Sequence, residues 1–163
     1  MLREKFNEII SKLTEEAKKY YGERLISIVL FGSVARKTQR HDSDIDILFV
    51  VENLPKGRLR RTEEFMKIEE KLEENLRTLR NEGIYTFISP IIKTPEEVKK
   101  GGLLFLDFLF DAVILFDRDN FFEQFLINFR EKLRHLGAER YTFGNAWYWI
   151  IKPELKSGET IEL

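Results

Sequence analysis

Two carboxylates two residues apart, Asp44 and Asp46 in the run HDSDIDILFV, are where the chain's chemistry is most legible. On an extended strand, residues at that spacing send their side chains to the same face, while Ile45 and Ile47 leave the other face for the core. Paired carboxylates repel each other, and a divalent cation removes that cost. Hard oxygen ligands favour Mg²⁺, which keeps some water and completes its shell with substrate phosphates. Upstream, the apolar run LISIVLF (25–31) ends at Gly32-Ser33. A glycine there lets the backbone turn without a Cβ clash. Ser33 adds a hydroxyl to a run of backbone N–H groups at a short helix start, a natural phosphate site. Arg36 lies just beyond and offers a planar fork of donors to the same anion. A turn for phosphate and a carboxylate pair for its metal suit nucleotidyl transfer.

Gly32-Ser33, ten residues, then Asp44-Ile45-Asp46 reproduces the GS-x10-D-x-D signature. On those residues, and on the phrase SDIDILFV, the chain resembles the minimal nucleotidyltransferases of the DNA polymerase β superfamily, which include antitoxin partners of HEPN proteins. The likeness spans about residues 22–117. It implies a nucleotidyltransferase fold of the α+β class, with a mixed β-sheet packed against helices. It implies that Gly32, Ser33 and Arg36 bind the nucleotide and that Asp44 and Asp46 are catalytic metal ligands, holding two Mg²⁺ ions when the protein is active. The implied reaction moves AMP from ATP to a hydroxyl, such as a tyrosine of a HEPN toxin, in a cytoplasmic toxin-antitoxin system.

Such enzymes use a third acidic residue on a later strand. The matching segment, IYTFISPII (84–92), has neither Asp nor Glu. Thr86 and Ser89 can orient water there but are weak bases. Asp107 is the catalytic substitute that the chain offers, with Asp111 one helical turn later on the same face. The alternative is an antitoxin-like binding module, catalytically weak or inactive, that neutralises its partner by occlusion.

These groups need a frame. Apolar periodicity predicts helices over about 2–20, 62–80 and 120–136, with a buried helix near 103–112. Strands are predicted at 25–31, 45–51, 84–92 and 113–116, and Pro90 places the third at an edge or ends it early. Thr94-Pro95 reads as a helix start. The expected organisation is one domain over 1–163, with a core at about 22–117 and a helical and aromatic extension at about 118–163. In the extension, Trp147, Tyr148 and Trp149 suit core cover or a subunit interface better than base stacking.

Composition narrows the classes. A net charge of −1 gives no general field for nucleic acid or anionic membrane, so contact with RNA finds no support beyond the local run KGRLRR (56–61). The absence of cysteine removes disulfides, thiolate zinc sites and Cys nucleophiles. MLREKFNEII is amphipathic rather than a signal region, and 103–116 is too short and too charged to span a bilayer. A homo-oligomer is compatible with all of this.

Overall fold

A computed structural model describes all residues, 1–163. Helix α1 (Leu2–Tyr21) leads through a tight turn into β1 (Leu25–Phe31). The one-turn helix α2 (Gly32–Ala35) and a loop precede β2 (Ile45–Val51). Then come α3 (Arg58–Glu69), α4 (Glu73–Asn81), β3 (Ile88–Lys93), α5 (Pro95–Lys99), α6 (Phe108–Asp111), β4 (Val113–Asp117) and α7 (Phe121–Leu136). A hairpin of β5 (Glu139–Phe143) and β6 (Ala146–Ile150) follows.

Four strands form a mixed sheet in the order β3-β2-β1-β4. Strand β1 is antiparallel to β2 and β4, whereas β2 and β3 run parallel. Helices cover both faces. Ile45, Ile47, Phe49 and Val51 join Phe6 and Leu13 of α1 and Phe65 and Leu72 of the 58–81 segment in one core. Leu48 and Val50 pack on the opposite face with Phe105, Phe108, Phe122 and Phe129. Strand alternation thus feeds two apolar layers, and Asp46 shares the second face at its upper end.

The edge assignment of β3 explains how Pro90 is tolerated inside it, since an edge position spares a ladder N–H. Thr94 caps α5 by accepting from Glu97 N at 3.2 Å, and Glu97 returns a bond from Thr94 N at 2.8 Å. Buried Ser27 is satisfied by donating to Asp117 Oδ1 at 2.6 Å, and Asp117 in turn accepts from the first N–H groups of α7.

Four expectations need correction. The strand expected over 84–92 begins only at Ile88 and runs through Pro90 to Lys93. The helix expected over 62–80 begins at Arg58 and is broken at residues 70–72 by a 3-10 turn, which keeps Leu72 buried between its two halves. The buried helix near 103–112 is a 3-10 turn followed by one α-helical turn, and it leaves Asp107 exposed. The aromatic extension contains a β-hairpin after its helix.

Candidate active site

Strand β1 delivers the chain to Phe31, whose register partner on β2 is Asp46. Gly32 then turns with φ +72°, and a Cβ built there would lie 2.1 Å from Asp46 Oδ2. The glycine therefore serves two ends. It adopts a left-handed conformation that side chains resist, and it leaves room for the Asp46 carboxyl against the turn. The Gly-Ser turn and the acidic couple meet in one place.

Ser33 is half-buried in the first turn of α2, whose N-cap position is Phe31, so its hydroxyl is not the capping group. The first N–H groups of α2 lack intrahelical partners, as in any helix start.

Asp44 stands just before β2, exposed, and accepts a hydrogen bond from Phe87 N at 3.3 Å. Asp46 is half-buried beside it. Burial pushes the Asp46 carboxyl above the usual carboxylate range, and the neighbouring Asp44 charge adds to the rise; the Ser89 hydroxyl and the Arg36 charge oppose it. Ser89 is also the residue that faces Asp46 across the parallel β2–β3 pairing. Neither aspartate has an ion-pair partner within 4.0 Å. Two unneutralised carboxylates whose mutual repulsion raises a proton affinity are a fitting donor set for a hard cation. No group of three or more His, Cys, Asp or Glu is assembled to hold a metal ion, so phosphate oxygens and water would complete the shell.

Arg36 follows α2 and is half-buried. Its Nη1 lies 3.8 Å from Asp111 Oδ2, and its guanidinium sits 5.2 Å from the centre of the Trp147 ring. Phe108 packs on Phe31 with ring centres 4.5 Å apart and planes tilted by 32°, which seats α6 beside the turn and brings Asp111 to Arg36. Asp107 accepts from Trp147 Nε1 at 3.1 Å. The Arg140 guanidinium also lies near that indole, 4.8 Å from its centre.

The structure thus brings Gly32, Ser33, Arg36, Asp44 and Asp46 together. Asp107 is engaged with Trp147, and no third carboxylate joins the pair. What sequence reasoning missed is the role of the C-terminal hairpin, which brings Trp147 to Arg36 at the edge of the site. Local spacing carries no sign of that contact, because Arg36 and Trp147 are far apart in the chain.

A family model described as "Nucleotidyltransferase domain" matches residues 10–97. A protein of Methanocaldococcus jannaschii named "putative protein adenylyltransferase" is 35% identical over 125 residues, covering 74% of this chain and 78% of that protein. A crystal structure of a toxin-antitoxin with AMP-PNP superposes with a TM-score of 0.54 at 19% identity, over 77% of this chain and 87% of that one. At that identity the superposition speaks for the fold. No helix is long and apolar enough to cross a membrane.

Proposed function

The chain belongs to the nucleotidyltransferase domain family, and on that premise we propose that it transfers AMP from ATP to a hydroxyl of a protein acceptor through Asp44 and Asp46. The observation that carries this reading is the packing of the Asp46 carboxyl into the space left by Gly32. The relative named as a protein adenylyltransferase supports the choice of AMP and of a protein acceptor.

In this site Asp44 and Asp46 would hold Mg²⁺ against the triphosphate. The cation supplies charge neutralisation and Lewis acidity at phosphorus when bound. Ser33 and the N–H groups of α2 hold the phosphates, and Arg36 adds positive charge where Asp111 and Trp147 fix it. The acceptor oxygen forms a bond to the α-phosphorus. The bond from that phosphorus to the bridging oxygen breaks, pyrophosphate leaves with the electron pair, and the hydroxyl proton passes to water. Ser89, which faces Asp46 across the β2–β3 pairing, is placed to orient that carboxylate. We assign Asp107 to anchoring Trp147 rather than to proton transfer.

The resemblance to antitoxin partners of HEPN proteins makes a HEPN tyrosine the acceptor of choice, and the likeness in fold to a toxin-antitoxin bound to AMP-PNP agrees with it. The test is incubation of the protein with α-labelled ATP, Mg²⁺ and a HEPN protein. The wild type labels the partner, and Asp44→Asn and Asp46→Asn do not. Equal labelling by all three overturns transfer through this site. One observation favours a second reading, neutralisation by occlusion: the carboxylate pair has no third member. Tight partner binding by the wild type without any labelling would establish it.

A further inference from the structure

Beside the active site lies a groove of about 270 Å³ between the broken 58–81 helix and the segment leading into β3. Its walls are Met66 and Phe87, which are 51% and 64% exposed, large values for such apolar side chains. Glu69, Glu70 and Glu73 line it, brought round it by the 3-10 turn at 70–72. None of the three has an ion-pair partner within 4.0 Å. Arg80 is the single cation at the rim, and it donates to Leu76 O at 3.4 Å rather than to a carboxylate. The groove therefore carries a net charge of −2, from three carboxylates and one guanidinium.

A second observation points to a ligand. Thr86 lines the same groove, is only 4% exposed, and its hydroxyl has no hydrogen-bond partner. A buried polar atom left unmatched is costly unless something completes it.

The groove also has an address. Phe87 forms its wall with the side chain and, through its backbone N–H, bonds Asp44 at 3.3 Å. One residue thus borders both the groove and the carboxylate pair.

We propose that this groove is the acceptor-docking subsite, and that it takes an arginine or lysine side chain of the acceptor protein close to its reactive hydroxyl. The aliphatic stem lies along Met66 and Phe87, as long basic side chains do on apolar surface. The charged head meets Glu69 and Glu73, and Thr86 accepts one of its N–H groups. Burial pushes the Glu69 carboxyl up from its usual range, and an incoming cation reverses that cost. The unpaired acidic lining selects against acidic acceptor segments. This proposal rests on the transfer reading above, since it assumes a protein acceptor.

The test uses a fluorescent peptide of ten residues with one tyrosine flanked by two arginines, and a twin in which both arginines are glutamine. Binding is read by fluorescence polarisation without nucleotide, so transfer is not needed. The arginine peptide binds the wild type about tenfold more tightly than its twin, a preference that added salt reduces. Glu69→Gln/Glu73→Gln removes the preference, Thr86→Val weakens arginine-peptide binding severalfold, and Glu15→Gln/Glu131→Gln, far from the groove, leaves it intact. Equal binding of both peptides to the wild type, or an unchanged preference in Glu69→Gln/Glu73→Gln, overturns the proposal. Asp44→Asn keeps the preference while losing transfer. A preference retained in a wild type that never labels an acceptor would sink the transfer reading and leave the groove standing.

Discussion

Asp46 fills the space that a side chain on Gly32 would occupy: a Cβ at that position falls 2.1 Å from Oδ2, 3.0 Å from Cγ and 3.1 Å from Cβ of the aspartate. The turn therefore tolerates only glycine at position 32 for as long as the Asp46 side chain keeps its place.

Gly32→Ala should damage the site through this contact. The positive φ costs an alanine about 1 kcal/mol, and moving Asp46 adds to it, so urea denaturation should show a loss of about 1–2 kcal/mol. ATP-analogue binding should fall with it. Unchanged affinity in the alanine variant would mean that the Asp46 position does not matter to the nucleotide.

The raised proton affinity of Asp46 sets a pH dependence opposite to the usual carboxylate case. The folded state holds this proton more tightly than the unfolded state. The contribution of this group to stability therefore falls as pH rises from the ordinary carboxylate range through the raised folded value. In EDTA, Asp46→Asn should be the more stable protein at neutral pH and should lack this part of the slope. Denaturant titrations from pH 4 to 7.5 check it, and a less stable Asp46→Asn with an unaltered slope would contradict it.

Trp147 should matter to the nucleotide by fixing Arg36. An indole–guanidinium contact of this kind contributes roughly 0.5–1 kcal/mol, or about two- to fivefold in affinity. Trp147→Ala should weaken ATP-analogue binding by that factor in calorimetry. Trp147→Phe, which keeps a ring but loses the bond to Asp107, should fall between the two. No change in either variant would detach the hairpin from the site.

The main strands and the acidic pair were legible because their signals are local. Ile45, Ile47, Phe49 and Val51 alternate, and all enter one core. Asp46 is then forced to the other face, beside the turn that ends β1. The break at 70–72 was hidden because Ile68, Leu72 and Leu76 keep helical spacing through it, and all three stay buried. The hairpin does have a signal, Gly144-Asn145 between two short runs, with Gly144 at φ +59°. Aromatic density on both sides conceals it, since Tyr141, Tyr148 and their neighbours also suit core cover or an interface. The partners of Arg36 could not be read at all, because long-range contacts set them.

Arg61 and Glu97 test the frame behind the site. Arg61 donates to both Glu97 carboxylate oxygens, at 2.7 and 3.1 Å, and to the Pro55 and Ile92 carbonyls. The guanidinium holds the Glu97 carboxyl below its usual range. With a lowered folded value, the stability gain is full above the ordinary glutamate range and is lost as pH falls through the folded value. Glu97→Gln should lose about 1 kcal/mol at pH 7, after allowing for partial exposure of the pair, and the difference should close in acid. A gap that persists at low pH would show that the side chain acts by packing or capping alone.

Calorimetry with a non-hydrolysable ATP analogue examines the paired aspartates most directly. Saturable binding by the wild type in Mg²⁺, abolished by EDTA and by Asp44→Asn/Asp46→Asn while the fold is retained by circular dichroism, is the predicted result. Equal binding with and without Mg²⁺, or equal binding by the double variant, would contradict a metal-nucleotide site built on Asp44 and Asp46.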